Sequence, residues 1–513
     1  MNPSEPHAGE GTAGDALFVA RARIRTPSSS IENRSLFGKL PALSLGSGGS
    51  GMLGPSRSRP QELPARPLDA RLRKSTLWGI MLRHTLVAMS AFPLGSSGTR
   101  RVISLYTGVG GLDLGLEAAG FQVAVAVDAD RDAVSVIRGN RDWPVVCDNQ
   151  GAPKRIEAVE SGELIQCARL RVGEASLLAG GVPCQPFSKA GYWVSGDSRR
   201  LDDPRAATLK HFLRVLRDTL PECYLLENVP GLSFEGKDEG LTFIERRLDA
   251  INRRKGTRYT MSVAKLNAAD FGIPQVRERV FVIGHRDGKG FAFPTTPTHF
   301  PPGEDRQAEL VAEPYLTAWD AIAELEDDED PALRVTGKWA DLLPSIPEGK
   351  NYLWHTSRGR GRPLFGWRTR YWTFLLKLRK DRPASTLQAQ PGPANGPFHW
   401  RSRRLSTREL CRLQTIPDDY KVPGSVRTAQ RLLGNAVPSA LAELLGKEIR
   451  RQLFGDVLPE GLTLLPKRAV SIPGPERPAR VPAKYLHLLG RHAAHPGEGR
   501  GPGAARRRRY QKS

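Results

Sequence analysis

"SLYTGVGGLDLGLEAAGF", Ser104–Phe121, joins an apolar run to a helical pattern through a glycine-rich turn. The residues before it, "RRVISL", read as a buried strand, and "LDLGLEAAG" reads as a short helix. "FQVAVAVD" is a second strand and "ADRDAVSVIRGN" a second helix. Further strands are predicted at "ASLLAGG", "CYLLENV" and "RVFVIGH", with the helical "DPRAATLKHFLRVLRDTL" between two of them. Strands alternating with helices specify a mainly parallel sheet covered on both faces, an α/β fold.

The turn itself narrows the ligand. Gly108, Gly110 and Gly111 let a ligand approach the backbone beside helix N–H groups. A dinucleotide fingerprint needs a further glycine at position 113, which is Asp113. Asp128 ends the second strand twenty residues after Gly108, where a carboxylate meets ribose hydroxyls in nucleotide-binding βαβ units. The pattern suits an adenosyl ligand without a pyrophosphate. A tight turn with no ligand is the competing reading.

The chain has 513 residues, a formal charge of +22 and an isoelectric point near 10.1. That balance favours a polyanion, nucleic acid first, although "RRRR" at Arg506–Arg509 contributes to it. Five scattered cysteines without a C-x-x-C pair argue against a disulfide framework or a cysteine-rich zinc site and suit a reducing cytoplasm. No run of 18 apolar residues exists, so no spanning helix is expected. Residues 1–97 are rich in Gly, Ser, Pro and Arg and read as disordered, or as an extension upstream of a start at Met81 or Met89. Residues 98–290 form the α/β domain. Residues 291–402 are irregular, with six of the nine tryptophans between 319 and 400. Thirteen Lys/Arg between Lys350 and Arg404 face one acid, Asp381, which points to a DNA-facing surface with some of the tryptophans as its core. Helical patterning returns over 403–455, and 456–513 reads as a loose basic Pro/Gly/Arg-rich tail.

Three strand ends carry the chemistry. "SLLAGGVPCQPFS" sets Cys184 between Pro183 and Pro186, which hold φ near −65° and stiffen the loop. A lone cysteine is usually a small buried hydrophobe. Apolar packing does not account for Pro-Cys-Gln-Pro at the carboxyl edge of a sheet, where ligands bind. "LLENVPGL" places Glu227 and Asn228 at another strand end. "QVRERVFVIG" puts Gln275, Arg277 and Arg279 at alternate positions, hence on one face of a strand.

In this order the motifs resemble the DNA (cytosine-5)-methyltransferase family over about Val102–Ala442. "YTGVGGLDLGLEAAGF" resembles its adenosylmethionine motif, "GGVPCQPFSKAG" its Pro-Cys loop, and "ENV" its glutamate motif. "QVRERVFVIG" is similar to its Gln-x-Arg-x-Arg motif. "RRLSTRELCRLQTIPDDY" and "LLGNAVPSALA" resemble its closing motifs, with a variable target-recognition domain before them. Ser104 and Tyr106 stand where many members have Asp and Phe. "CDNQG" only partly matches the usual Gly-Asp-Ile.

The resemblance implies a Rossmann-like adenosylmethionine-dependent methyltransferase sheet with a smaller irregular target-recognition domain and disordered tails. It implies Cys184 as nucleophile, with Glu227, Arg277 and Arg279 as the other catalytic groups. S-adenosyl-L-methionine would be held by Tyr106, Gly108, Gly110, Gly111, Asp128, Asp148, Pro183 and Asn435, with no metal. Gln185, Ser188, Asn228 and Gln275 would bind substrate. The implied partner is double-stranded DNA, met by a monomeric cytoplasmic enzyme. Its genetic partner would be a restriction or mismatch endonuclease, unless it is a solitary modification enzyme. A catalytically silent DNA-binding protein and an RNA methyltransferase are the competing readings.

Overall fold

A computed structural model describes residues 99–183, 207–233, 239–301, 312–368 and 371–492. All lie in the second of two units of the chain, Ala91–Ser513. The N-terminal extension therefore falls outside the described residues.

Strands β1 (Arg100–Leu105), β2 (Phe121–Val127), β3 (Leu177–Gly181), β4 (Cys223–Asn228), β5 (Ser262–Asn267) and β7 (Glu278–His285) form one sheet in the order β2-β1-β3-β4-β7-β5. The first four are parallel; β7 runs antiparallel to β4 and to β5. β1 to β4 are nearly continuous apolar runs because both faces of the sheet are covered. β5 escapes the sequence pattern because it is the edge strand, with Val263 and Lys265 turned outward.

Helices α1 (Gly111–Ala118), α2 (Arg131–Asn140), α3 (Ser161–Ala168), α4 (Ala207–Thr219) and α5 (Glu239–Lys255) connect these strands. α6 (Ala318–Ile322) opens the irregular region, and α7 (Thr407–Leu413), α8 (Val426–Asn435) and α9 (Ser439–Phe454) follow it. α7 starts on a capping box, Ser406 with Glu409, which makes "STREL" readable as a helix start.

α9 returns to pack on α1. A Cβ on Gly115 would stand 2.1 Å from the Ser439 carbonyl oxygen and 2.5 Å from Ala442 Cβ. Gly115→Ala is therefore expected to destabilise the protein by about 1–3 kcal/mol, the usual cost of overpacking a core contact. A thermal melt indistinguishable from wild type would refute that contact.

The run from Gln275 is not one strand. Gln275–Val276 (β6) pairs in parallel with Ala384–Ser385 (β10), and β7 begins after Arg277. Two further short strands, β8 (His299–Phe300) and β9 (Glu313–Pro314), pair with each other. The irregular region has two cores. One joins Ile322, Leu387 and Trp400 to α2, α7 and α8; the other surrounds Leu342, Tyr352, Leu375 and Phe398. The basic excess is partly internal: Lys380 pairs with Glu348 at 3.1 Å and Arg403 with Glu409 at 2.8 Å. Arg358, Arg360 and Arg362 remain exposed.

Within the expected loose tail, residues 456–492 lie along both regions. Glu443 receives the Thr463 and Leu464 amides, Glu348 receives the Glu476 amide at 3.0 Å, and Tyr485 stacks on Trp339. Backbone groups docking on fixed carboxylates leave no periodic side-chain signature, so this stretch reads as tail.

Candidate active site

A cavity of about 560 Å³ opens at the carboxyl ends of β1 to β4. Its wall includes Tyr106, Gly108, Gly111, Asp128, Pro183, Glu227, Arg279 and Asn435, eight of the residues singled out in the sequence. The sheet explains the convergence: parallel strands place their carboxyl-terminal turns along one edge.

At one end lies the glycine turn. Gly108 has φ 57°, and nothing lies within 4 Å of where its Cβ would be, so the turn leaves open space at the backbone. Asp128 accepts a 2.7 Å hydrogen bond from the Gly108 amide and a 2.8 Å one from the Asp130 amide. Burial nonetheless holds its carboxyl above the ordinary range. The Tyr106 hydroxyl donates to the Thr208 carbonyl at 2.7 Å, tying the turn to the first residues of α4. The open backbone, the carboxylate and the partly buried aromatic ring fit an adenosyl group.

At the other end stands Glu227. Its carboxylate meets Arg279 Nε at 2.9 Å and is buried. Burial raises its pKa, while Arg279 and Arg277 oppose the shift. Gly181, its neighbour on β3, matters through size: a Cβ there would stand 3.3 Å from Glu227 Oε2.

Residues 100–451 match the model of the C-5 cytosine-specific DNA methylase family. The chain belongs to that family. It is 39% identical over 376 residues to the type II methyltransferase M.SacI of Streptomyces achromogenes, a match spanning 69% of this chain and 93% of that protein. It is 39% identical over 253 residues to M.AquIA of Picosynechococcus, across 48% of this chain and 97% of that one. The crystal structure of the S. pombe Dnmt2 methyltransferase aligns at a TM-score of 0.44 and 17% identity, over 69% of this chain and 98% of that chain. The protein is thus a DNA cytosine-5 methyltransferase, an enzyme whose substrate is DNA and whose family implies S-adenosylmethionine as methyl donor. No described helix is long and apolar enough to cross a membrane.

Several of the methylase's motif residues lie outside the cavity wall and bond to the chain itself. Arg277 is fully buried and donates to the backbone carbonyls of Gly434 (2.9 Å), Ala436 (2.8 Å) and Leu387 (3.2 Å). It locks the closing helix and the irregular region to the sheet domain. Gln275 does likewise, accepting from the Leu387 amide and donating to Leu413 O and Gln414 Oε1. Asn228 donates to the Val182 carbonyl at 3.3 Å, so it braces the loop that leads into Pro183. None of these three lines the cavity. Gly110, with φ 78°, has Trp143 and the Tyr420 hydroxyl where a Cβ would stand. Asp148 is exposed and accepts the Gln150 and Ala152 amides at 2.9 Å, closing its own turn. Cys184, Gln185 and Ser188 lie outside the described residues.

Other wall residues gave no sequence signal. Ile156 and Glu157 enter from a single 3-10 turn, Ile156–Ala158. Arg431, one turn before Asn435 on α8, pairs with Asp130 and, at 2.7 Å, with Asp132, tying the rim at β2 to the closing motif.

Asp113, the residue that breaks the dinucleotide pattern, is fully buried. No cation pairs with its carboxyl among the described residues, and the Ser104 hydroxyl lies beside it. Burial pushes its pKa up to about 7, with the Ser104 hydroxyl working the other way. A carboxyl with a raised folded-state pKa favours folding while protonated and loses that contribution as pH rises through its folded value. Wild-type melting temperature is therefore expected to fall more steeply between pH 4 and pH 7 than that of Asp113→Asn. Parallel melting curves for the two proteins would contradict it.

Proposed function

We propose that the enzyme methylates carbon 5 of a cytosine within a specific duplex sequence through a covalent bond between Cys184 and carbon 6. The observation carrying this reading is the buried Glu227–Arg279 pair on the wall of the cavity that also contains the open turn at Gly108. Gly108, Gly111, Asp128, Tyr106 and Asn435 would hold S-adenosylmethionine, which supplies an electrophilic methyl group.

The remaining work falls to side chains. Carbon 5 of cytosine is a weak nucleophile. Addition of the Cys184 thiolate to carbon 6 forms a C–S bond and makes carbon 5 enamine-like, which replaces one hard step by easier ones. Glu227, kept toward its protonated form by burial, donates to ring N3 and accepts from the exocyclic amine, stabilising charge that builds during addition. Arg279 holds the carboxyl in place. Once carbon 5 carries the methyl group, its proton passes to water and the electron pair of that C–H bond expels the thiolate. The cytosine must leave the stack to reach this cavity, at a cost of a few kcal/mol. Arg277 and Gln275 act as positioning residues that keep the target region against the sheet.

The likeness to type II methyltransferases supports a modification enzyme with a cognate endonuclease. Incubation with labelled S-adenosylmethionine and duplex DNA, followed by bisulfite-type sequencing, tests the reading. The expected product is 5-methylcytosine in one sequence context; methylation of RNA alone would overturn it.

A further inference from the structure

The second large cavity of the enzyme has no part in the chemistry. It is a groove of about 590 Å³ between α4 and α5, lined by Lys210, Arg214, Arg217, Arg247, Arg253 and Arg254 with a few apolar residues between them. Among the described residues, no carboxylate lines it. Arg214 is held by the carbonyls of Ile156 and Val159, at 2.9 and 3.0 Å, and Arg217 pairs with Asp218 at 2.7 Å. Lys210, Arg247, Arg253 and Arg254 are exposed, and no ion pair holds them among the described residues. Arg253 and Arg254 complement the carboxyl-terminal end of the α5 dipole. Lys210 and Arg247 stand away from that end, so the dipole does not account for them.

The position of the groove gives it a use. α4 begins at the active-site cavity, where Thr208 forms part of the wall. From Lys210 to Arg217 the helix runs about 10 Å away from that edge, at 1.5 Å per residue. The groove thus lies along the same helix that ends at the cavity wall, farther from the carboxyl edge of the sheet, with basic side chains on both banks.

We infer that this groove holds the phosphate backbone of the duplex flanking the methylated site, a second DNA contact outside the catalytic cleft. The inference rests on the proposed action on duplex DNA. Its contribution is sequence-independent and electrostatic, so it lengthens the footprint and adds to the salt dependence of binding without altering the chemical step.

The test compares two duplexes carrying the same methylation site, one just covering the cleft and one extended on both sides. The full chain is used, as wild type, as the double variant Arg247→Gln/Arg254→Gln, and as Lys210→Gln on the opposite bank. Wild type is expected to bind the extended duplex at least tenfold more tightly than the short one. The double variant loses most of that advantage, and the slope of log affinity against log salt becomes shallower by about 2, roughly 0.9 per phosphate released. Lys210→Gln gives about half the effect. Turnover on the short duplex stays at the wild-type value in every variant. An undiminished advantage for the extended duplex, with an unchanged salt slope, would overturn the groove. Failure of wild type to methylate the short duplex would instead overturn the proposed function.

Discussion

Glu227→Gln is expected to slow methylation by about 10²–10⁴, the range for removing a positioned general acid. Glutamine fills the same volume and keeps an oxygen for Arg279, so the loss reports the missing proton. The side chain is buried, and burial favours its neutral form against the pull of Arg279 2.9 Å away. The working state needs a neutral carboxyl and an ionised thiol together. Wild-type rate should therefore rise with pH as the thiol ionises and fall again once Glu227 has lost its proton. In the glutamine variant the alkaline fall disappears and the rate levels off. Affinity for S-adenosylmethionine is unchanged, because the turn at Gly108 and Asp128 lies at the other end of the cavity. A variant retaining more than a tenth of the wild-type rate, or keeping the alkaline fall, would remove Glu227 from the acid role.

The sheet was legible because its central strands are buried on both faces, which writes them as apolar runs flanked by glycine turns. "RRVISL", "FQVAVAV" and "CYLLEN" each became a strand near the expected bounds. The cavity was legible for a related reason. A parallel sheet gathers its carboxyl-terminal turns, so Gly108, Asp128, Pro183 and Glu227 met although as many as 119 residues separate them. Alternation was the weaker guide. Gln275, Arg277 and Arg279 share a period of two, yet β7 starts only at Glu278, so only Arg279 reaches the cavity. Periodicity specifies a face and says nothing about which carbonyls wait opposite it. Arg277 finds Gly434, Ala436 and Leu387, contacts more than a hundred residues away that no local pattern encodes. The stretch 456–492 was opaque because extended, proline-rich chain docks through its backbone. Asp113 was read as the absence of a glycine, when its complete burial is the more informative fact.

Cys184→Ser is expected to abolish methylation, a loss on the order of 10⁴ or more. The reason is ionisation. A free thiol has a pKa of about 8.5, so a useful fraction is thiolate near neutral pH. A serine hydroxyl supplies almost no alkoxide there, and no histidine among the described residues lines the cavity to take its proton. The chain reaches the cavity wall at Pro183, the residue before the cysteine, and Asn228 braces that approach through the Val182 carbonyl. Neither contact depends on the sulfur, so the variant should fold and bind S-adenosylmethionine as wild type does. A duplex with 5-fluorocytosine at the methylation site separates nucleophile from bystander. After methyl transfer, carbon 5 of that base has no proton to lose, the thiolate cannot be expelled, and wild type remains bonded to DNA through denaturing electrophoresis. The serine variant should show no such band at any cofactor concentration. A persistent adduct in Cys184→Ser would place the covalent bond on another residue. Methylation at the wild-type rate with no adduct would remove the covalent step altogether, leaving Glu227 and Arg279 to activate carbon 5 without a nucleophile.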